Sequence, residues 1–98
     1  MPMIPTKPKA LGTFAAFPLG GGPMGKVTVT DDEVALELAP SAKRFKRMFI
    51  EKLENEGELA MSKVQVALGF YDLQGDRGSV SFGMRENEYR VLKQLLGK

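Results

Sequence analysis

The sequence predicts an α+β domain: a four-stranded antiparallel sheet built in the order β-β-α-β-β-α, with two helices packed on one face and an irregular N-terminal arm. Apolar and polar residues alternate in four short segments, apolar residues recur every three or four positions in two others, and proline and glycine crowd the first 25 residues. Ninety-eight residues, 27% of them charged, fit a single domain over 26–98 behind an arm over 1–25.

The predicted arm contains five of the six prolines, five of the eleven glycines and no acidic residue. This composition is typical of an irregular segment. Lys7 and Lys9 account for the net charge of +2, so residues 26–98 are neutral overall. Phe14 and Phe17 add apolar surface to the arm. They either pack over the chain's own core or pair with the sheet edge of a neighbouring subunit.

The first half of the domain predicts a hairpin followed by a helix. Apolar and polar residues alternate over 26–30 and 33–38, with a pair of aspartates as the turn between them. After Pro40, Ser41 can cap a helix that stops near Asn55 to Gly57. The apolar positions of this helix, spaced by three and four, are Ala42, Phe45, Met48, Phe49 and Leu53.

The second half repeats this order. Alternation over 64–70 and 80–84 predicts a second hairpin, and a last helix ends at Gly97. The inward positions of this helix are Tyr89, Leu92, Leu95 and Leu96. The two halves overlay by residue class, which places Met48 on Leu92. A duplication explains the match, and so do two unrelated units of strands and a helix.

With both helices on one face of the sheet, the other face is predicted to be bare. Small residues fill its second half, which we call the small-residue face: Ala67, Gly69, Ser81 and Gly83. Because alanine and glycine are poor strand formers, they suggest that a partner approaches closely. Tyr71 on this face offers a stacking surface for a nucleic-acid base. A local bulge, cover by the arm or a second copy packed on this face would also account for the small residues. The predicted partner-interface residues are Phe14, Phe17, Ala67, Gly69, Ser81 and Gly83.

The charges of the first predicted helix run in an unusual order. Its opening turns carry Lys43, Arg44, Lys46 and Arg47, whereas Glu51, Glu54, Glu56 and Glu58 lie at and beyond its end. The helix dipole disfavours this order by about 0.3 to 1 kcal/mol for each charge in a terminal turn. The last helix has the favourable order. An anion such as a phosphate backbone, bound at the helix start, would compensate. A solvated helix face is the alternative.

The absence of cysteine and histidine excludes disulfides, thiolate metal sites, cysteine nucleophiles and the commonest general base. No nucleophile and base can be paired, so the chain is expected to be non-enzymatic, without cofactor or metal. No apolar run approaches the ~20 residues that cross a bilayer, and the amino terminus lacks the apolar stretch of a secretory signal. The chain is therefore expected to be cytoplasmic and free of membrane.

These features predict a small nucleic-acid-binding protein, a homodimer whose partner is single-stranded DNA or RNA. The four cations of the first helix contact phosphates, Lys7 and Lys9 assist from the arm, and Tyr71 with the small-residue face takes bases. The alternative function is a protein-interaction or assembly module. Such a module would dimerise or dock a partner through its flat sheet face and its arm.

Residues 78–84 and the helix that follows to Leu96 resemble the last strand and helix of the coactivator-type single-stranded-DNA-binding domains. Those domains run several strands without interruption before one terminal helix. Here the helix predicted over residues 41–54 interrupts the strands. The sequence is therefore assigned to no family.

Overall fold

In residues 10–38 and 41–98, the part of the chain that the computed structural model describes, seven strands precede one α-helix. They are β1 (Gly12–Ala16), β2 (Gly25–Val29), β3 (Glu33–Leu38), β4 (Ser41–Lys46), β5 (Ile50–Leu59), β6 (Lys63–Tyr71), β7 (Arg77–Arg85) and α1 (Glu86–Leu96). The strands form two antiparallel sheets, one in the order β1-β2-β3-β4 and one in the order β5-β6-β7. The prediction of one four-stranded sheet carrying two helices is wrong.

The alternating segments of the sequence form two hairpins. β2 and β3 pair across a two-residue turn, Asp31–Asp32, and β6 and β7 pair along their full lengths without a register shift. The period of two places Val27, Leu36 and Val66 in the core, whereas their chain neighbours are at least partly exposed. Burial of one face therefore determines the register of both hairpins.

The first predicted helix is absent from the structure. Residues 41–54 form β4, a 3-10 turn over Arg47–Phe49 and the first half of β5. All six residues of β4 pair with β3, so Phe45 lies beside Val34 on the inner face and Arg44 beside Ala35 on the outer face. The apolar spacing that suggests a helix coexists here with a strand alternation, and pairing with β3 decides between them.

β1 lies inside the segment predicted to be an irregular arm, and it joins the two sheets. Phe14 is buried in the core. Just beyond β1, Phe17 and Gly83 of β7 each donate a backbone N–H to the other's carbonyl, at 2.8 and 2.7 Å. Gly25, at the start of β2, has no room for a side chain because a Cβ there would overlap the carbonyl of Glu37.

The inner faces of both sheets and one face of α1 enclose a cluster of buried apolar side chains, with Phe82, Leu68, Met84 and Leu92 the largest fully buried members. α1 contributes Tyr89, Leu92 and Leu96 to this core. The helix ends at Gly97, whose φ of 70° lies in the left-handed region that favours glycine.

In residues 10–38 and 41–98, no helix has the length and apolar character needed to cross a membrane. The described residues ahead of α1 contain strands and one 3-10 turn, but no α-helix. The interruption that sets the sequence apart from the coactivator-type domains is therefore absent from this part of the chain.

Candidate nucleic-acid interface

A cleft of about 410 Å³ lies between β4 and the end of β6. Four aromatic, two basic, two acidic and one aliphatic residue line it, and they are Phe45, Phe49, Phe70, Tyr71, Arg44, Lys46, Glu33, Asp72 and Leu73. We call it the aromatic cleft. It places two of the predicted phosphate-binding cations, Arg44 and Lys46, beside the predicted stacking residue Tyr71.

The aromatic side chains of the cleft come from both sheets. The rings of Phe45 on β4 and Phe70 on β6 lie 4.4 Å apart, centroid to centroid, at an interplanar angle of 37°. Such a contact contributes about 0.5 to 1.5 kcal/mol beyond the burial of the rings. Phe49 is presented by the 3-10 turn that links the two sheets. Each of these rings is only partly buried, so each keeps surface that a ligand can contact.

The cations of the cleft lie on an edge strand that is open to solvent. Arg44 and Glu33 form an ion pair at 3.8 Å with side chains 77% and 42% exposed, and Lys46 is the cross-strand neighbour of the same carboxylate. An ion pair this exposed contributes only about 0 to 1 kcal/mol. Arg44 can therefore exchange Glu33 for an incoming anion at little cost, and in the described part of the chain no carboxylate lies within 4 Å of the ammonium group of Lys46.

Tyr71 is held in place by a network of polar contacts. Its hydroxyl donates a hydrogen bond to Glu51 at 3.1 Å and accepts one from Nε of Arg77 at 3.3 Å. Arg77 also pairs with Glu51 at 3.3 Å. The pKa of Arg77 is raised, most strongly by its hydrogen bond to Tyr71 and then by the negative charge of Glu51. These contacts hold the Tyr71 hydroxyl beside Glu51 and Arg77.

The structure removes the physical argument made from helix charges. Because residues 41–54 contain no α-helix, the four cations do not oppose a helix dipole. Lys43 and Lys46 lie on opposite faces of β4, so the ridge expected from helical spacing does not form. The guanidinium of Arg47 instead donates to the carbonyl of Leu95 in the last turn of α1, a favourable position for a cation.

The small-residue face is partly covered by the chain itself. A Cβ at Gly69 would meet Cγ of Lys52 at 2.9 Å, and a Cβ at Gly83 would meet Leu59 at 3.2 Å and Phe17 at 3.4 Å. The hydrogen bond and charge of Glu54 raise the pKa of Lys52. The glycines of this surface therefore accommodate neighbouring side chains of the same molecule.

The remaining predicted interface residues also have neighbours in the chain. The ammonium group of Lys63 lies over the ring of Phe17, 4.0 Å from the ring centroid. Ala67 is partly buried, and the hydroxyl of Ser81 donates to Glu56 at 3.3 Å. Phe14 is in the core. Lys7 and Lys9 lie outside the described residues.

Phe45, Phe49 and Phe70 line the cleft, whereas the sequence pattern predicts them only as core residues of a helix or a strand. One signal was available, because Arg44, Phe45 and Lys46 alternate in the pattern of a strand with cations on one face and an aromatic ring on the other. The juxtaposition of Phe45 with Phe70 follows from the packing of two sheets and has no local signal.

Among residues 10–38 and 41–98, no group of three or more acidic side chains is placed to hold a metal ion. No protein-family model matches the chain, and no curated protein matches it either.

Proposed function

We propose that the chain is a small, non-enzymatic, cytoplasmic protein that binds single-stranded nucleic acid at the aromatic cleft. The observation that supports this function is the placement of Arg44 and Lys46 on the same cleft as four aromatic side chains. Stacking of a base on an aromatic ring contributes about 1 to 3 kcal/mol per base and tolerates any sequence. The cations reach the phosphates that flank the stacked base.

The shape of the site favours an unpaired strand. Its volume of about 410 Å³ is at the small end of ligand pockets, which suits one or two bases rather than the width of a duplex. The aromatic rings lie at the corner between the two sheets, so a base must leave its own stack to reach them.

The charges of the site make a quantitative prediction. Two cations face two carboxylates in the cleft, so binding is moderate and its dependence on salt is shallow. For about two phosphates contacted on a single strand, the logarithm of the binding constant falls with the logarithm of salt concentration with a slope of about −1.4.

The test is a fluorescence-anisotropy titration of labelled single-stranded and double-stranded DNA and RNA over a series of salt concentrations. Replacing Arg44 and Lys46 together by glutamine should bring the slope close to zero, and Phe49→Ala should weaken binding about 5- to 150-fold at constant slope. The matched control replaces Arg90 and Lys93 of α1 by glutamine, which removes the same charge elsewhere. Equal losses in control and cleft variants, or no binding at low salt, would refute the function.

The alternative function, an assembly module, has an observation of its own. Among the described strands, none pairs with the outer edge of β4, so its backbone groups are open to another strand.

A further inference from the structure

The two sheets end in two open edges that follow each other along the chain. β4 is the last strand of the four-stranded sheet and β5 the first of the three-stranded sheet, and each has one described neighbour, β3 or β6. An open strand edge presents unpaired N–H and C=O groups to another strand. The two edges are separated by the 3-10 turn over Arg47–Phe49.

These two edges carry opposite charge. β4 contains no acidic residue, whereas β5 contains four acidic residues and one lysine. The side chains concerned are exposed except for Glu51, which is partly buried. The charged residues of β4 are Lys43, Arg44 and Lys46, and those of β5 are Glu51, Lys52, Glu54, Glu56 and Glu58.

Contacts within the chain neutralise only some of these charges. Lys52 pairs with Glu54 at 2.9 Å, and Arg44 pairs with Glu33. In the part of the chain that the structure describes, no oppositely charged side chain lies within 4 Å of the ammonium groups of Lys43 and Lys46 or of the carboxylate of Glu58. Each edge therefore keeps charge that a partner of opposite sign would neutralise.

The backbone of β4 is also oriented for pairing. The amide of Arg47 donates to the carbonyl of Asp32 at 2.7 Å, in line with the register of β3 and β4. Because paired positions alternate in an antiparallel ladder, the peptide groups of Ala42, Arg44 and Lys46 point away from β3. β5 is less regular, since its register shifts between Ile50 and Lys52 and between Asn55 and Gly57, so any paired stretch is short.

From these observations we infer that the partner of the β4 edge is a second copy of this chain, which places its acidic β5 along the basic β4. The chain itself provides the complement of each edge, and a pair of copies that exchanges both contacts leaves neither edge open. The charges determine which edges meet, and the short paired stretch keeps the association reversible and sensitive to salt.

The test is a charge-exchange experiment followed by sedimentation velocity at about 50 mM and about 500 mM salt. One variant carries Lys43→Glu and Lys46→Glu, and the other carries Glu54→Lys and Glu58→Lys. The wild-type chain should associate at low salt and dissociate at high salt. Each variant alone should be monomeric at low salt because its two edges have the same sign, and an equimolar mixture of the two should associate again.

The control variant carries Arg90→Glu and Lys93→Glu, which gives the same net charge as the β4 variant, and it should associate like the wild type. Urea unfolding verifies that each variant is folded. If a reversal does not fold, Lys43→Gln with Lys46→Gln replaces it and should raise the apparent dissociation constant at least tenfold. A wild-type chain that stays monomeric at low salt, or a mixture that fails to reassociate, overturns the inference.

Discussion

Two segments of this chain have the apolar spacing of a helix, and only one of them is a helix. Glu86–Leu96 form α1, with Tyr89 and Leu92 in the core. Residues 41–54 form a strand, a 3-10 turn and half of another strand, and Met48 is 79% exposed. Spacing by three and four therefore did not distinguish the two segments, whereas charge order did.

The helical segment has the charge order and the terminal glycine that favour a helix. Glu86 and Glu88 lie in its first turn, Lys93 in its last, and Gly97 ends it. The other segment has cations first and carboxylates last, which the helix dipole disfavours. Taken as a helix, that segment needs an anion at its start to offset the reversed order. The structure gives a simpler explanation of the reversed charge order, because the segment is not a helix. An unfavourable charge order is therefore evidence against the helix itself.

The largest difference between the two segments should appear when Leu92 and Met48 are each replaced by alanine. The two residues are equivalent in the repeat suggested by the sequence. Leu92→Ala should lower the free energy of unfolding by about 2 to 5 kcal/mol because the side chain is 1% exposed, as measured by urea denaturation. Met48→Ala should change it by less than about 0.5 kcal/mol.

Similar losses at the two positions would contradict the structure, because they would mean that Met48 is also packed in a core.

A smaller difference in stability is expected when Arg47 and Arg44 are each replaced by glutamine. Arg47→Gln should destabilise the protein by about 1 to 2 kcal/mol, because the Leu95 carbonyl at the end of α1 loses a charged donor. Arg44→Gln removes only an exposed ion pair and should cost less than about 1 kcal/mol.

Thermal and urea unfolding of both variants measure this difference. Equal effects would show that Arg47 has no special contact with α1, and would return it to the set of candidate phosphate contacts.

The sequence predicts the parts of this fold whose signal is local. Alternation identifies β2, β3, β6 and β7, and spacing with a terminal glycine identifies α1. β1 was missed because a five-residue strand rich in small residues lies among prolines and glycines. β4 was missed because its residues fit both periods. β5 was missed because its buried residues Ile50 and Leu53 are three positions apart and its register shifts twice, so it lacks a regular alternation. Only the neighbouring strands β3 and β6 select the extended form.

The candidate site was predictable in part. Arg44, Lys46 and Tyr71 stand out in the sequence for their chemistry, and the structure brings them to one cleft. The helix-dipole reason for the cations is wrong, and the aromatic side chains beside them were unforeseen. Their proximity depends on the corner at Arg47–Phe49, where the chain passes from one sheet to the other. The sequence of one strand alone does not indicate how close these side chains lie to one another.

The smallest expected difference between the two segments is in the sign of the stability change that a new valine causes. Valine favours strands over helices, so the same new residue should act in opposite directions. Ala42→Val on the exposed face of β4 should raise the free energy of unfolding by a few tenths of a kcal/mol, and Gln94→Val on the exposed side of α1 should lower it by about 0.5 kcal/mol. Both positions are exposed, so burial contributes little and backbone preference decides the result. If Ala42→Val destabilised the chain as Gln94→Val does, residues 41–46 would be helical, and the argument from the helix dipole would regain its basis.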